Sequence, residues 1–294
     1  YDDGGGADAA LLDGAPTADG SAHDASNDTS ADGTVADSGA DASDAAARDA
    51  ATRDASVGPN ILGSAASFAV FSGATVTNAT ATVTTITGDL GTYPGTTAIG
   101  PTPPVVVGAE HLGDLTAKAA AADIQLAYDQ LIPGNLACGT TLTGLDLGGM
   151  TLVPGVYCFS STAGLTGTLT LDAQNNPKAR WVFQVGSALT TASGSHVVVI
   201  NGTAGQACNA YWQISSSATL GTSSIFGGTI LAQAAVTVTT GTSILGRTFG
   251  MTANVSTDTN VITIAGCAPN DLPIVDAGLP DAADAGIADA SDGG

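Results

Sequence analysis

The sequence predicts a β-solenoid, a fold in which short strands wind into stacked coils. Between residues 212 and 264, a pattern of apolar strand, threonine-rich segment and glycine-bearing turn returns about every 18 or 19 residues. The strand segments are rich in β-branched residues, which favour extended backbone. A coil this short buries its apolar side only against neighbouring coils, so a fixed short period of this kind favours a solenoid.

The repeat can be followed segment by segment. Residues 225–230 return as 244–249, a shift of 19, and Thr239 returns as Thr257, a shift of 18. Residues 181–200 are similar to the segment from Tyr211 onward, once the loop near 202–208 is set aside. These alignments predict stacked coils, with any function on an outer face.

Composition divides the chain into one folded domain, residues 59–267, between two acidic tails. Residues 1–58 carry 13 acidic residues against two arginines and contain no Phe, Trp, Ile or Cys, and residues 268–294 carry 6 acidic residues and no Lys or Arg. Segments of this composition cannot bury a core, so both tails are expected to be disordered. A solvated spacer is the interpretation we favour over an acidic binding segment.

One segment departs from the β pattern. Residues 114–131 are rich in strong helix formers, with Asp114 or Thr116 available as an N-cap and Pro133-Gly134 as a stop. Ile124, Tyr128 and Leu131 share one face at helical spacing. We therefore expect a helix whose apolar stripe packs against the side of the solenoid.

All four cysteines, Cys138, Cys158, Cys208 and Cys267, lie in the predicted domain. Four cysteines allow three pairings, and the absence of a C-x-x-C pair or a nearby histidine disfavours zinc. We favour Cys138–Cys158 and Cys208–Cys267, because the second pair ties the last coil to an earlier one. Paired disulfides indicate an oxidising compartment, so the protein is expected to be secreted or displayed at the cell surface, extracellular or periplasmic.

The sequence offers little chemistry for catalysis. His23, His111 and His196 are far apart, and the acidic residues of 59–267 occur singly. No nucleophile elbow or P-loop is present, so we expect no enzyme, no cofactor and no metal site.

The few cations of the domain disfavour nucleic acid, and no apolar run is long enough to cross a bilayer. We expect a monomer.

Threonine is what the predicted coils share. Thr-x-Thr on a strand places both side chains on one face, and stacked coils repeat them in the other direction, which predicts a flat, uncharged array. Such an array can hold ordered water. The candidate rows are 166–168, 191–193, 221–223, 240–242 and 257–259.

Several blocks resemble the bacterial and fungal ice-binding protein family. They are Leu62-Gly63-Ser64-Ala65-Ala66-Ser67-Phe68-Ala69-Val70, Thr85-Ile86-Thr87-Gly88-Asp89-Leu90-Gly91-Thr92-Tyr93-Pro94-Gly95, Asp146-Leu147-Gly148-Gly149-Met150-Thr151-Leu152-Val153-Pro154-Gly155-Val156-Tyr157, Leu165-Thr166-Gly167-Thr168-Leu169-Thr170-Leu171-Asp172-Ala173, and Tyr211-Trp212-Gln213-Ile214 with Ser217-Ala218-Thr219-Leu220-Gly221. In order, they cover essentially all of residues 60–265. The resemblance implies a mainly β fold: a three-sided, right-handed, discontinuous β-solenoid with one long helix alongside, in which the N-terminal segment supplies a coil among later ones.

The resemblance also implies ice as the partner, bound by a flat face that lowers the freezing point locally or blocks recrystallisation. Bacterial members often carry Thr-[Ala/Gly]-x-[Thr/Asn] there; Thr240-Gly241-Thr242-Ser243 matches three positions, and Thr257-Asp258-Thr259-Asn260 departs at Asp258. The predicted ice-binding residues are Thr77, Thr80, Thr166, Thr168, Thr191, Ser193, Thr222, Thr240, Thr242, Thr257 and Thr259.

Two alternatives share the predicted fold. The first is a non-catalytic adhesion or spacer module held off the cell by its Asp-Ala tails, without ice activity. The second, a polysaccharide-degrading β-helix, would require carboxylates that converge on one face. A carbohydrate-binding platform is disfavoured by the 4% aromatic content, and Trp181 and Trp212 are expected in the core.

Overall fold

The structure is a computed structural model that describes residues 61–267, and the predicted tails at 1–58 and 268–294 lie outside the described residues. Between 61 and 267 the chain forms short parallel strands, one α-helix and two 3-10 helices, Gly63–Ser67 and Ala204–Asn209. The strands form three faces, which we call the threonine face, the aliphatic face and the helix-covered face.

The threonine face is a seven-stranded sheet that contains β2 (Thr75–Asn78), β5 (Thr97–Ile99), β11 (Ala163–Leu165), β14 (Leu189–Thr191), β17 (Ala218–Leu220), β19 (Val236–Val238) and β21 (Val255–Thr257). The aliphatic face contains β3 (Thr85–Thr87), β6 (Val105–Val107), β9 (Thr151–Leu152), β12 (Thr168–Asp172), β15 (His196–Ile200), β22 (Val261–Thr263) and the first halves of β18 (Ile225–Ala232) and β20 (Ser243–Gly250). The helix-covered face contains β1 (Phe68–Ser72), β4 (Asp89–Thr92), β7 (Glu110–Leu112), β8 (Thr140–Thr141), β10 (Gly155–Phe159), β13 (Trp181–Val185), β16 (Ala210–Ile214) and the second halves of β18 and β20.

Glycine allows β18 and β20 to run across two faces without a break. Gly228 and Gly246 are paired in register midway along these strands, with φ of 120° and 142°. A Cβ on Gly246 would lie 2.0 Å from the Gly228 carbonyl oxygen. Only glycine fits this bend, because the backbone of one coil lies directly against the next.

The stacking order of the coils differs from the order of the chain. β1 pairs with β20 on one side and with β4 on the other, and β2 pairs with β21. The first coils therefore stack on the last coil rather than on the coil that follows them in sequence. This arrangement is the discontinuous solenoid that the resemblance implied.

The helix α1 (Leu115–Leu131) returns the chain from one end of the stack to the other, since β7 precedes it and β8 follows it. Asp114 caps it by accepting a hydrogen bond from the Ala117 amide, as predicted. Ile124, Tyr128 and Leu131 are buried and belong to a core cluster that includes strand residues of the helix-covered face. The predicted packing of the apolar stripe is confirmed.

A second core cluster fills the interior of the coils. Tyr157, Phe183, Trp212 and Phe226 form a continuous aromatic stack, with ring centroids 5.6, 3.9 and 5.0 Å apart in that order. Trp181 is also fully buried. Both tryptophans are core residues, as expected, and both indole N–H groups donate to backbone carbonyls.

The mainly β solenoid with one packed helix is confirmed, and both favoured disulfides, Cys138–Cys158 and Cys208–Cys267, are present. Cys208 lies in the 3-10 helix Ala204–Asn209, and Cys267 follows the last coil. The second disulfide therefore holds the end of the last coil against the loop that separates two earlier ones.

Candidate functional site

The threonine face carries a straight column of hydroxyl side chains. Strand register aligns Thr190, Thr219, Thr237, Ser256 and Thr77 on five successive coils. Gly164 precedes this column at one end, and Ile99 follows it at the other. Neighbouring strands lie about 4.8 Å apart, so the hydroxyls repeat at that interval along the stack. We call these five residues the central column.

The central column points outward because of the alternation within each strand. In β19, Val236 and Val238 are buried and Thr237 between them is partly exposed, and β21 and β17 repeat the pattern. Small residues lie two positions before the strand centres, among them Ala188, Ser217 and Ala235. Small neighbours without charge keep this face flat.

A second row of polar side chains lies at the corner between the threonine face and the aliphatic face. At this corner each coil makes a tight turn through a residue with left-handed backbone, namely Gly167, Gly194, Ser223, Gly241 or Thr259, with φ between 54° and 87°. Backbone hydrogen bonds join the turns of neighbouring coils. The Gly194 amide donates to the Thr222 carbonyl, the Ser223 amide to the Thr240 carbonyl, and the Gly241 amide to the Asp258 carbonyl. The residues that come directly before the left-handed residues form what we call the corner row: Thr166, Ser193, Thr222, Thr240 and Asp258.

The corner explains why glycine stands in the second place of Thr-Gly-x-Ser. Gly241 has a φ of 70°, which a β-carbon disfavours. The third residue, Thr242, points inward and is fully buried, where its hydroxyl donates to the Gly221 carbonyl at 2.9 Å. Ser195 and Ser224 occupy the same position in their turns and also bond to turn carbonyls. Thr242 is the buried residue of the motif, whereas Thr240, Gly241 and Ser243 are at least partly exposed.

Eight of the predicted ice-binding residues are at least partly exposed: Thr77, Thr80, Thr166, Thr168, Ser193, Thr222, Thr240 and Thr259. Thr77 belongs to the central column, Thr168 begins a strand of the aliphatic face, and the others lie at the corner. The structure brings most of them together along one edge of the threonine face.

The prediction was wrong for Thr191, Thr242 and Thr257, whose side chains are buried. Their hydroxyls serve the interior: Thr191 accepts a hydrogen bond from the Gly221 amide, and Thr257 donates to the Thr77 carbonyl. The alignment of Thr239 with Thr257 agrees with the structure, but the threonine rows were placed two residues early at Thr191 and one residue early at Thr257, and Thr242 is a third position that points inward. In the structure, Thr240 is equivalent to Asp258 rather than to Thr257.

Sequence reasoning missed Thr190, Thr219, Thr237 and Ser256 of the central column. The available signal was the alternation of apolar and hydroxyl residues within three-residue strands, as in Val236-Thr237-Val238. The strands are so short that only one residue of each carries the signal. The threonines at the corner are more closely spaced in the sequence, so the alternation within the strands was overlooked.

Carboxylates stand toward both ends of the corner row. Burial alone would raise the pKa of Asp146, but hydrogen bonds from the Thr166 amide, the Gly148 amide and the Thr166 hydroxyl lower it below its usual value. Asp258 accepts from the hydroxyls of Thr240 and Thr80, at 2.5 and 2.7 Å, and these bonds hold its pKa low. Both side chains are therefore charged at neutral pH.

The aliphatic face differs in chemistry. Its first outward row contains hydroxyl, imidazole and aliphatic side chains in register: Thr168, His196, Ile225, Ser243, Val261, Thr85 and Val105. The 3-10 helix Ala204–Asn209 lies against it at Gly227, where an added Cβ would be 2.9 Å from that of Ala207. This face is thus less regular than the threonine face.

Residues 61–267 contain no cluster of three or more His, Cys, Asp or Glu side chains arranged to hold a metal ion. None of their helices has the length and apolarity needed to span a bilayer. The candidate functional surface is the regular array of hydroxyl side chains on the threonine face and its corner.

Comparison with known proteins agrees with this architecture. Residues 70–263 match the Ice-binding-like family. An ice-binding protein of Nostoc sp. (strain HG1) is 47% identical over 207 residues, which cover 70% of this chain and 74% of that protein.

Crystal structures of related proteins show the same fold. An ice-binding protein from an Antarctic biological consortium is 39% identical, with a TM-score of 0.65 over 69% of this chain and 90% of its own. One from the Antarctic ascomycete Antarctomyces psychrotrophicus is 35% identical, with a TM-score of 0.63 over 69% and 97%. The chain belongs to the Ice-binding-like family.

Proposed function

We propose that the protein binds ice through the central column and the corner row, and thereby gives thermal hysteresis or inhibits ice recrystallisation. The observation that carries the proposal is the in-register column of Thr190, Thr219, Thr237, Ser256 and Thr77 on an uncharged face. Family membership supports ice as the ligand.

The mechanism is adsorption without catalysis. Threonine methyls and the flat backbone hold a layer of ordered water, the hydroxyls anchor it, and the layer merges with the crystal lattice. Each water-mediated contact is weak, so affinity comes from their number and from the rigidity of the coils. A rigid array loses little conformational entropy on binding, so a solenoid is a suitable scaffold for such a site.

Placement outside the cytoplasm follows from the same proposal, since ice grows there first. The disulfides Cys138–Cys158 and Cys208–Cys267 support it, because such bonds persist in oxidising compartments. Nucleic acid is a poor alternative partner, because residues 61–267 contain only four Lys and Arg side chains and one of them, Arg247, is buried.

The test uses tyrosine substitutions that disturb flatness on one surface at a time. Thr219→Tyr and Thr240→Tyr are expected to reduce thermal hysteresis roughly tenfold or more, because a bulky ring lifts the array off the ice over several coils. Both residues are surface residues, so the melting temperature should change little. Fluorescently labelled protein on an ice hemisphere provides an independent readout of binding.

Two matched controls introduce the same ring elsewhere. Leu126 is exposed on the helix and Val261 on the aliphatic face, so Leu126→Tyr and Val261→Tyr should retain activity. Loss of activity in Val261→Tyr but not in Thr219→Tyr would place the ice contact on the aliphatic face instead. A wild-type protein without hysteresis, recrystallisation inhibition or ice staining would favour the non-catalytic adhesion or spacer module.

A further inference from the structure

Asp258 interrupts the corner row with a charge where the neighbouring coils have a hydroxyl. Its carboxylate accepts three hydrogen bonds: from the hydroxyl of Thr240 at 2.5 Å, from Thr80 at 2.7 Å and from Thr259 at 3.1 Å. All three donors are threonine side chains at the corner. The carboxylate therefore lies within the array rather than beside it.

The turn does not require this carboxylate. The turn is held by other bonds: the Gly241 amide donates to the Asp258 carbonyl, and the Asp258 amide donates to the side-chain oxygen of Asn260. Asp146 at the other end is different, because its carboxylate accepts from the amides of Gly148 and Thr166. Within residues 61–267, the side chain of Asp258 bonds to threonine hydroxyls alone.

Asp258 also lies at the junction where the chain order is interrupted. Thr240 belongs to the coil before that of Asp258, 18 residues earlier, and Thr80 belongs to the N-terminal coil, 178 residues away. The carboxylate links hydroxyls on both sides of the junction. It thus connects Thr240 to Thr80 where two distant parts of the chain meet.

A hydroxyl that donates its one proton to a carboxylate can only accept further hydrogen bonds. Bonds to a charged acceptor are about twice as strong as neutral ones, so the proton direction is fixed. Thr240 is exposed and Thr80 partly exposed, so the remaining lone pairs of their hydroxyls are available to accept from water. Water bound there must point a hydrogen toward the protein.

We infer that Asp258 is a positioning residue that fixes the hydroxyl protons of Thr240 and Thr80, so that both present acceptors to the ordered water layer on ice. The inference rests on the proposed ice-binding function. It predicts that activity depends on the ionisation of one side chain that need not touch ice.

The first test is Asp258→Asn, which keeps the shape but replaces one acceptor oxygen by an NH2 donor. Thermal hysteresis should fall roughly twofold or more, because one hydroxyl must reverse its proton. Thr240→Val, which removes that hydroxyl alone, should give a similar loss. The double variant should lose no more than either single variant, since both break the same contact.

The second test is the pH profile. The hydroxyls of Thr240 and Thr80 hold the pKa of Asp258 below the ordinary aspartate value of 3.8, with no charged neighbour contributing among the described residues. The carboxylate thus stays ionised as pH falls to that value and protonates below it. Wild-type activity should be constant down to the ordinary pKa and decline reversibly below it, whereas Asp258→Asn should show no such decline. Circular dichroism at each pH separates this effect from unfolding.

Asp172→Asn is the control for charge, because Asp172 bonds to Asn201 and the Gln174 amide, away from the corner row. It should retain wild-type activity. Wild-type activity and an unchanged pH profile in Asp258→Asn, with Thr240→Tyr inactive, would overturn the positioning role and leave the ice-binding proposal intact. An active Thr240→Tyr would contradict the ice-binding surface itself.

Discussion

Threonine has two distinct roles at the corner of each coil. Thr240 is exposed and presents its hydroxyl outward, whereas Thr242, two residues later, is buried and donates to the Gly221 carbonyl. The tight turn through Gly241 separates them, because a left-handed residue redirects the chain within one step. The same residue type thus serves binding at one position and turn stability at the next.

Replacing each of these threonines by valine separates the two roles. Thr242→Val removes one donor to the Gly221 carbonyl, which still accepts from the Ser224 amide and hydroxyl, so it should lower the free energy of unfolding by about 0.5–1.5 kcal/mol. Thr240→Val changes an exposed hydroxyl and should lower it by less than about 0.5 kcal/mol. Urea unfolding followed by circular dichroism measures both values, and equal losses would contradict the assigned orientations.

At the level of single residues, the sequence could predict that threonines line the coils but not which of them point outward. The inward or outward direction depends on where the left-handed residue falls. Gly167 and Gly241 signal that position, but Ser223 and Thr259 occupy it without a glycine. Their turns were consequently aligned one residue off, and Thr257 was placed on the surface.

The helix α1 packs on the solenoid through one stripe only. Ile124 is 1% exposed, whereas Leu126 on the other side is 55% exposed. Ile124→Ala should lower the free energy of unfolding by about 2–4 kcal/mol, because it removes buried methylene groups and leaves a cavity. Leu126→Ala is the matched control and should change it by less than about 0.5 kcal/mol. Guanidinium unfolding distinguishes the two, and comparable losses would mean that the helix packs through a different face.

The helix was the element predicted best, since 114–131 became Leu115–Leu131 with Asp114 as its N-cap. Coil registers were harder to predict. In the last coils, paired residues are 18 positions apart in sequence, as with Ile225 and Ser243. In earlier coils the separation is larger: 29 positions between Leu189 and Ala218, and 26 between Ala163 and Leu189. Insertions such as the 3-10 helix Ala204–Asn209 lengthen a coil without changing its core, so a fixed period cannot reveal them.

The two disulfides constrain the molecule over very different lengths of chain. Cys208 and Cys267 are 59 residues apart, and Cys138 and Cys158 are 20 apart. By loop entropy, replacing the longer pair with alanine should cost about 1 kcal/mol more in unfolding free energy than replacing the shorter pair. Guanidinium unfolding of the two double variants tests this order. The reverse order would show that the first disulfide holds native contacts beyond its own loop.

At the scale of the whole molecule, the repeat alone predicted a solenoid but not the order in which its coils stack. β1 and β20 lie far apart in sequence, and their sequences show no sign that they pair. That part of the prediction came from the family resemblance. Long-range stacking is decided by which open strand edges match, and periodicity within one segment does not contain that information.

The interrupted stacking order has a consequence for synthesis on the ribosome. The coils formed by β1 to β6 are made first, yet their partner strands β20, β21 and β22 are made last. Until then, the nascent chain holds an unpaired sheet edge that could join another molecule. The hydroxyls of Thr77 and Ser256 become neighbours only after β21 has been made, so a product that terminates before β21 would lack the continuous column.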